Sequence, residues 1–374
     1  MDWLRTEERA VWDWFSNKER LAADEEQVRL SLLRDTYRMD EEGHPEVFRE
    51  IEAARVTLGM EASVHVYQAQ GGSQPNASIC HLPGEAHLIF EGPILSLLSP
   101  EELRAIIGHE LAHHFLWQTD GGAFLLADRI LDASAAHPAA QASHLQSARV
   151  WRLATELFAD RGAFLASGSL ETAVSALVKT TTGLSQISAK SYLAQAAEIF
   201  SKSRPKTNQL SHPETFIRAR ALQLWVEEEP SLEEAIAAML DFDEGLDGLT
   251  LVQQAELGAL TRRFLGHVLQ PEWFQSDSVL AHARLFFRDF SPATEADATL
   301  AAELAELTVT TREYLCQVML DFCAVDADLH EQPIVRCIEM ARGMECLGAF
   351  EKLLAKELKV KAKDLKKLKE SAAR

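Results

Sequence analysis

The chain has 374 residues, of which 47% are hydrophobic and 25% charged, and its formal net charge at pH 7 is −20. That apolar content exceeds what a disordered chain carries and allows two or three domains, each with a core of its own. The acidic balance repels phosphate backbones and anionic lipid, which argues against nucleic acid as a partner and against binding at an anionic membrane surface.

No apolar run reaches the roughly 18–20 residues that span a bilayer. The nearest candidates, Leu88–Leu98 and Ala123–Ala136, are interrupted by Glu91, Asp128, Arg129 and Asp132. The first residues carry scattered charge and no apolar h-region, so no secretory signal is read. The five cysteines, Cys80, Cys316, Cys323, Cys337 and Cys346, lack CxxC spacing and read as buried or free thiols of a reducing compartment. A cytoplasmic protein is expected.

In chain order, residues 3–60 are rich in helix formers and broken at Gly43-His44-Pro45. Val64–Tyr67 alternates as a short strand, Gln70–Pro75 is a loop by composition, and two further short strands are expected near Ala77–Leu82 and Ala86–Phe90. A helix starts sharply at Ser99: Ser99 is the N-cap, Pro100 takes the first helical position and Glu102 completes a capping box. It runs to about Gln118. A second long helix is expected over about Ala142–Ala166, and Ser201–Pro213 is a polar loop with two prolines. Glu227–Pro230 marks a boundary, an all-helical segment continues to Leu358, and Lys359–Arg374 is a lysine-rich tail read as a solvated helix end. The expected fold is mainly α with a small β-sheet (α+β), with domains at 1–230 and 231–358 and the tail at 359–374.

The strongest chemical signal is His109-Glu110-Leu111-Ala112-His113 on the capped helix. Positions i and i+4 share a helix face, so both imidazoles can meet one Zn²⁺, with Glu110 beside them to deprotonate a water. A catalytic zinc needs a third protein ligand. The metzincin pattern would put Gly and His where Leu116 and Thr119 stand, which excludes that class. A glutamate from a later helix is the other supply, and Glu156 in Thr155-Glu-Leu-Phe-Ala-Asp160 is the best candidate. Asp160, one turn further along, can accept the other N–H of a ligand histidine. His114 points about 100° away from its neighbour and is read as packing or as a support behind the ligands, not as a ligand.

These three blocks, His109–His113, Glu156–Asp160 and Ser211-His212-Pro213-Glu-Thr-Phe-Ile-Arg218, fall in the order and approximate spacing of the HtpX and CaaX-prenyl-protease type zinc metallopeptidases, which the chain resembles over roughly residues 50–225. Asn76-Ala77 followed by Glu85–Glu91 is similar to that family's Asn-Ala element and edge strand. The transmembrane helices of the membrane members are missing, so the soluble peptidases are the nearer comparison. The resemblance implies a zincin-like domain with one zinc on His109, His113 and Glu156, and Glu110 as general base and proton shuttle. It further implies that His212 and Arg218 stand near the open side of the metal, where either stabilises the oxyanion; in some members the matching histidine is instead a removable fourth ligand. A protein or peptide substrate is expected to add as a strand along Ala86–Phe90, with Asn76, Ala77, His87, Leu88 and Ile89 as the candidate substrate-strand residues.

The C-terminal part resembles a TerB-like helical domain around Asp326, Asp328 and Glu331, with Ala327 in place of that domain's glycine and a fainter copy at Asp247-Gly248…Glu256. These carboxylates either hold a hard cation or cap helix starts. The expected function is a soluble zinc endopeptidase gated by its helical C-terminal domain and a regulatory partner of that domain. The alternative is a latent zinc-bound interaction or sensing module.

Overall fold

The computed structural model describes residues 1–202, 214–240, 245–293, 297 and 299–372, without the side chains of residues 18–24 and 240. It divides into two units, Met1–Phe242 and Asp243–Arg374. The first begins with helices α1 (Asp2–Glu7), α2 (Arg9–Phe15) and α3 (Lys18–Asp35), followed by strand β1 (Thr36–Arg38) and helix α4 (Pro45–Thr57). Three strands follow, β2 (Ser63–Ala69), β3 (Asn76–Leu82) and β4 (Glu85–Glu91). The helices α5 (Ile94–Leu97), α6 (Pro100–Gln118), α7 (Ala123–Ala136), α8 (Ala142–Ser167), α9 (Leu170–Thr182), α10 (Ala189–Lys202), α11 (Thr215–Val226) and α12 (Leu232–Leu240) complete the unit. The α+β class expected from the sequence is the class observed.

The strands form one sheet in the order β1-β2-β4-β3. β2 and β4 are parallel, with His65 beside His87 and Val66 beside Leu88, while β3 runs antiparallel to β4 with Ala77 opposite Phe90. β4 is therefore an interior strand, hydrogen-bonded on both sides. This corrects the expectation that Ala86–Phe90 is an edge: the open edges are β1 and β3. The physical sign was present, because Ala86, His87, Leu88 and Phe90 are all buried, which marks a strand covered on both faces. Val66, Ala86, Leu88 and Phe90 join Leu103, Ile106, Ile107 and Leu111 of α6 in the main core. On the opposite face, Tyr67 and His87 are buried and Arg29 of α3 pairs with Glu85.

Helix α6 begins where the sequence places it. Ser99 Oγ accepts from Glu102 N at 3.3 Å and Ser99 N donates to Glu102 Oε2 at 2.8 Å. The same carboxylate receives Lys179 Nζ at 2.8 Å and Ser175 Oγ at 2.5 Å, so the capping box also fastens α6 to α9. α6 and α8 cross at two glycines. A Cβ on Gly108 would lie 2.4 Å from Ala166 Cβ and 2.7 Å from Gly162 O; one on Gly162 would lie 2.5 Å from Ala112 Cβ and 2.7 Å from Gly108 O. Only hydrogen fits at either position.

The first unit extends past the expected boundary at residue 230. Leu232, Ala235, Ile236 and Met239 of α12 pack with Leu153, Leu157, Ile217 and Leu224, burying the apolar stripe of α12 against α8 and α11. The second unit comprises α13 (Leu251–Val268), α14 (Asp277–Phe286), α15 (Leu300–Ala305), α16 (Val309–Phe322), α17 (Gln332–Gly343), α18 (Leu347–Glu357) and α19 (Ala362–Ser371) around its own core. The lysine-rich segment read as a solvated tail is α19, and Leu365, Leu368 and Ala372 join that core. Its lysines stay outside while the leucines one turn apart are covered.

Gly108→Ala should destabilise the first unit, because the overpacking cost of about 1–3 kcal/mol outweighs the helix propensity gained, about 1 kcal/mol or less. Gly258→Ala on α13 is the matched control. No atom lies within 4 Å of its added Cβ, so the second unit should gain about 0.5–1 kcal/mol. Denaturant or calorimetric unfolding of the two variants reads opposite signs if the α6–α8 contact is as tight as described.

Candidate metal centre

The α6–α8 crossing places His109, Glu110 and His113 opposite Glu156 and Asp160. All three α6 residues are buried within the unit. His109 Nε2 and His113 Nε2 are 3.2 Å apart, Glu156 Oε2 is 3.5 Å from His109 Nε2, and Glu156 Oε1 is 3.4 Å from His113 Nε2. A tetrahedron with metal–ligand bonds of about 2.0–2.2 Å has edges of about 3.3–3.6 Å. The two Nε2 atoms lie at about that separation from each other, and each lies at about that separation from one Glu156 oxygen. Two imidazoles and one carboxylate are the donor types of a catalytic zinc site, and these three residues could hold a metal ion.

The next layer fixes the orientation of His109. Its Nδ1 is 3.1 Å from Asp160 Oδ1, and an ionised carboxylate only accepts, so the proton sits on Nδ1 and the Nε2 lone pair faces Glu156 and His113. Arg218 of α11 holds both carboxylates. Its Nη1 is 2.7 Å from Glu156 Oε2, its Nε donates to Asp160 Oδ2 at 2.8 Å and its Nη2 to Asp160 Oδ1 at 2.6 Å. Burial opposes ionisation of Glu156, but Arg218 and the two histidines overcome it and hold the carboxyl well below the usual carboxylate range. Asp160 is lowered against the same penalty, chiefly by Arg218. Burial also disfavours charge on His109, yet Asp160 and Glu156 lift it to about 10. The cluster therefore attracts positive charge to the space where the three ligand atoms meet, which suits a divalent cation. Glu110 moves the other way: burial raises its affinity for a proton, against the pull of the neighbouring histidines.

His114 turns from the cluster toward β3. Its Nδ1 is 3.0 Å from His81 Nδ1 and its Nε2 is 2.6 Å from Gln118 Nε2. Burial, with His81 and His87 nearby, pushes His114 down to about 4, so the pair is a neutral hydrogen-bonded link between α6 and the edge strand. Trp117 stacks on His113 with ring centroids 5.7 Å apart. Neither contact was singled out in the sequence. The i, i+4 spacings of His114 with Gln118 and of His113 with Trp117 were the available signals.

Of the candidate substrate-strand residues, Asn76 and Ala77 lie at the start of β3 on the open edge, whereas His87, Leu88 and Ile89 belong to the interior strand β4. His212 lies outside the described residues. Arg218, expected toward the open side of the metal, has its guanidinium turned to Glu156 and Asp160. Asp326, Asp328 and Glu331 do not converge on a common point: Asp326 accepts from Asp328 N at 3.0 Å and caps a short turn.

Among the described residues one other group lies within ligand range of a common point, His65, Glu85 and His87. Arg29 pairs with Glu85, and Arg38 Nη2 lies 3.3 Å from His65 Nδ1. His87 completes the network through Glu85 Oε2 at 3.0 Å and the Tyr67 hydroxyl at 3.1 Å. Two guanidinium groups at the rim oppose a cation there. No helix among the described residues is long and apolar enough to cross a membrane.

Over 194 residues the chain is 29% identical to the plastoglobule-localized metallopeptidase 48, chloroplastic, of Arabidopsis thaliana, covering 47% of this chain and 55% of that protein. The chain thus spans about half the length of the curated relative it matches. No solved structure matches it significantly. Residues 42–226 match the family model of Peptidase family M48. The residues His109, His113, Glu156, Asp160 and Arg218 all lie within the segment that is similar to Peptidase family M48.

Proposed function

We propose that the chain is a zinc-dependent endopeptidase with one metal ion held by His109, His113 and Glu156. The observation that carries this reading is the convergence of three ligand groups, the two Nε2 atoms 3.2 Å apart and one Glu156 oxygen 3.5 Å and the other 3.4 Å from them, with buried Glu110 beside them. A zinc ion bound there supplies Lewis acidity, which polarises a carbonyl and acidifies a water. Glu110 takes the proton of the attacking water and returns it to the leaving amine nitrogen. Its burial strengthens its basicity, which suits both transfers. Asp160 keeps the His109 proton on Nδ1 throughout.

The expected oxyanion role divides between two residues of different standing. Arg218 spends its guanidinium on Glu156 and Asp160, and in this proposal it is a positioning residue for the ligands. Oxyanion stabilisation is assigned to His212. Substrate backbone pairs with the open edge of β3 from Asn76 to Leu82, which α6 flanks through His81 and His114. Gating of the peptidase by the second unit, whose TerB-like character rests on the residues named above, is carried as part of the same proposal. That unit has a core of its own and none of the cluster's residues. A latent binding module is the competing reading, and Glu110 favours the enzyme because a binder needs no base.

Glu110→Gln keeps the shape and removes the base. Zinc content should stay at about one equivalent while casein cleavage falls by about 10²–10⁴-fold. Undiminished cleavage by the zinc-loaded variant would overturn the mechanism. Asp160→Asn weakens the hold on His109 and frees one side of Arg218. Competition with a zinc chelator should read a loss of affinity of about 10–100-fold; unchanged affinity would contradict the role given to Asp160.

A further inference from the structure

Four of the five cysteines lie in the core of the second unit, and they form two pairs of different character. Cys323 Sγ lies 3.4 Å and Cys337 Sγ 3.8 Å from the carbonyl of Met319, and both are deeply buried among apolar side chains. Those thiols are neutral donors to a backbone acceptor, the environment of an inert structural cysteine. Cys346 Sγ likewise lies 3.5 Å from the carbonyl of Ala341, but Cys316 and Cys346 also meet each other. Their sulfurs are 3.1 Å apart, from positions 30 apart in the chain. Cys316, on α16, is fully covered, and Cys346 is 8% exposed. Cys346 is the N-cap residue of the eleven-residue helix α18, directly after the exposed turn residue Glu345, and its side chain makes no cap hydrogen bond. The guanidinium of Arg312 adds positive charge nearby.

We propose that Cys316 and Cys346 are an oxidisable dithiol, with Cys346 the attacking sulfur and Cys316 the resolving one. The hydrogen bond from Cys316 holds the Cys346 thiol below its ordinary value, with Arg312 acting in the same direction against burial. Cys316, as the donor in an apolar site, is pushed up. Cys346, the less covered of the two sulfurs, is thus the one favoured as thiolate, and the fully covered Cys316 is in contact with it. The co-reactant is a small disulfide such as glutathione disulfide. The Cys346 thiolate attacks one of its sulfurs, and the first glutathione leaves as thiolate. The Cys316 sulfur then attacks Cys346 Sγ, the second glutathione leaves, and the Cys316 proton passes to it. Two protein thiols are oxidised, one glutathione disulfide is reduced to two thiols, and α16 becomes bonded to α18.

The test uses the folded full-length chain and glutathione disulfide, followed by alkylation, thiol counting and peptide mass mapping. Wild type should lose two of its five thiols and yield one cross-linked peptide pair joining Cys316 to Cys346, reversible by dithiothreitol. Cys316→Ser, checked for native circular dichroism, should stop at the mixed disulfide and retain one glutathionyl group on Cys346. Cys346→Ser should leave Cys316 unmodified. A Cys323–Cys337 cross-link, a product confined to Cys80, or five free thiols in wild type would each overturn the assignment. Wild-type mapping decides the matter even if a serine variant fails to fold.

Discussion

The site depends on how closely two helices approach. Gly108 and Gly162 face each other across the α6–α8 crossing, each so near the other's carbonyl that a methyl group has no room. Helix axes usually sit 8–10 Å apart according to the side chains between them, and glycines permit the short end of that range. Gly108 precedes His109 directly, and Gly162 lies less than two turns beyond Glu156. The contact therefore sets the distance across which the carboxylate reaches the imidazoles. A bulkier pair would move Glu156 outward and away from the two imidazoles.

Bringing carboxylates into such a place is expensive unless cations accompany them. Asp160 is buried and Glu156 and Arg218 are mostly covered, and Arg218 alone neutralises only one of the two negative charges. The remaining attraction lifts His109 to about 10, so in the absence of metal a proton takes up the role of cation. The same field that would protonate His109 is the field that would hold a divalent ion, and the two compete for the Nε2 lone pair. The arrangement links α6, α8 and α11 through charge as well as packing, which explains why residues far apart in sequence serve one site.

Much of the first unit was legible in the chain because its signals are local. Ser99, Pro100 and Glu102 announce the start of α6, and the i, i+4 histidines announce its chemistry. The three strands near residues 63–91 were read within one or two residues of their ends. What failed was non-local. β4 was taken for an edge because strand order is set by partners elsewhere, although its near-continuous burial is that of a central strand. Pro230 was taken for the boundary, but the stripe Leu232, Ile236 and Met239 needs the α8 and α11 surface that unit one supplies. Lys359–Arg374 read as tail from its charge, while Leu365 and Leu368 decide its packing. The direction in which Arg218 points cannot be seen without its carboxylate partners in space.

The central claim is that one zinc ion sits on His109, His113 and Glu156. X-ray absorption at the zinc edge of the full-length protein tests it most directly. The account predicts nitrogen and oxygen scatterers at about 2.0–2.2 Å, outer-shell scattering from two imidazoles and no sulfur. That spectrum should be unchanged in a His65→Ala/His87→Ala variant, and Glu156→Gln should alter the first shell. A sulfur shell at about 2.3 Å, or a spectrum that changes when His65 and His87 are removed and not when Glu156 is, would contradict it.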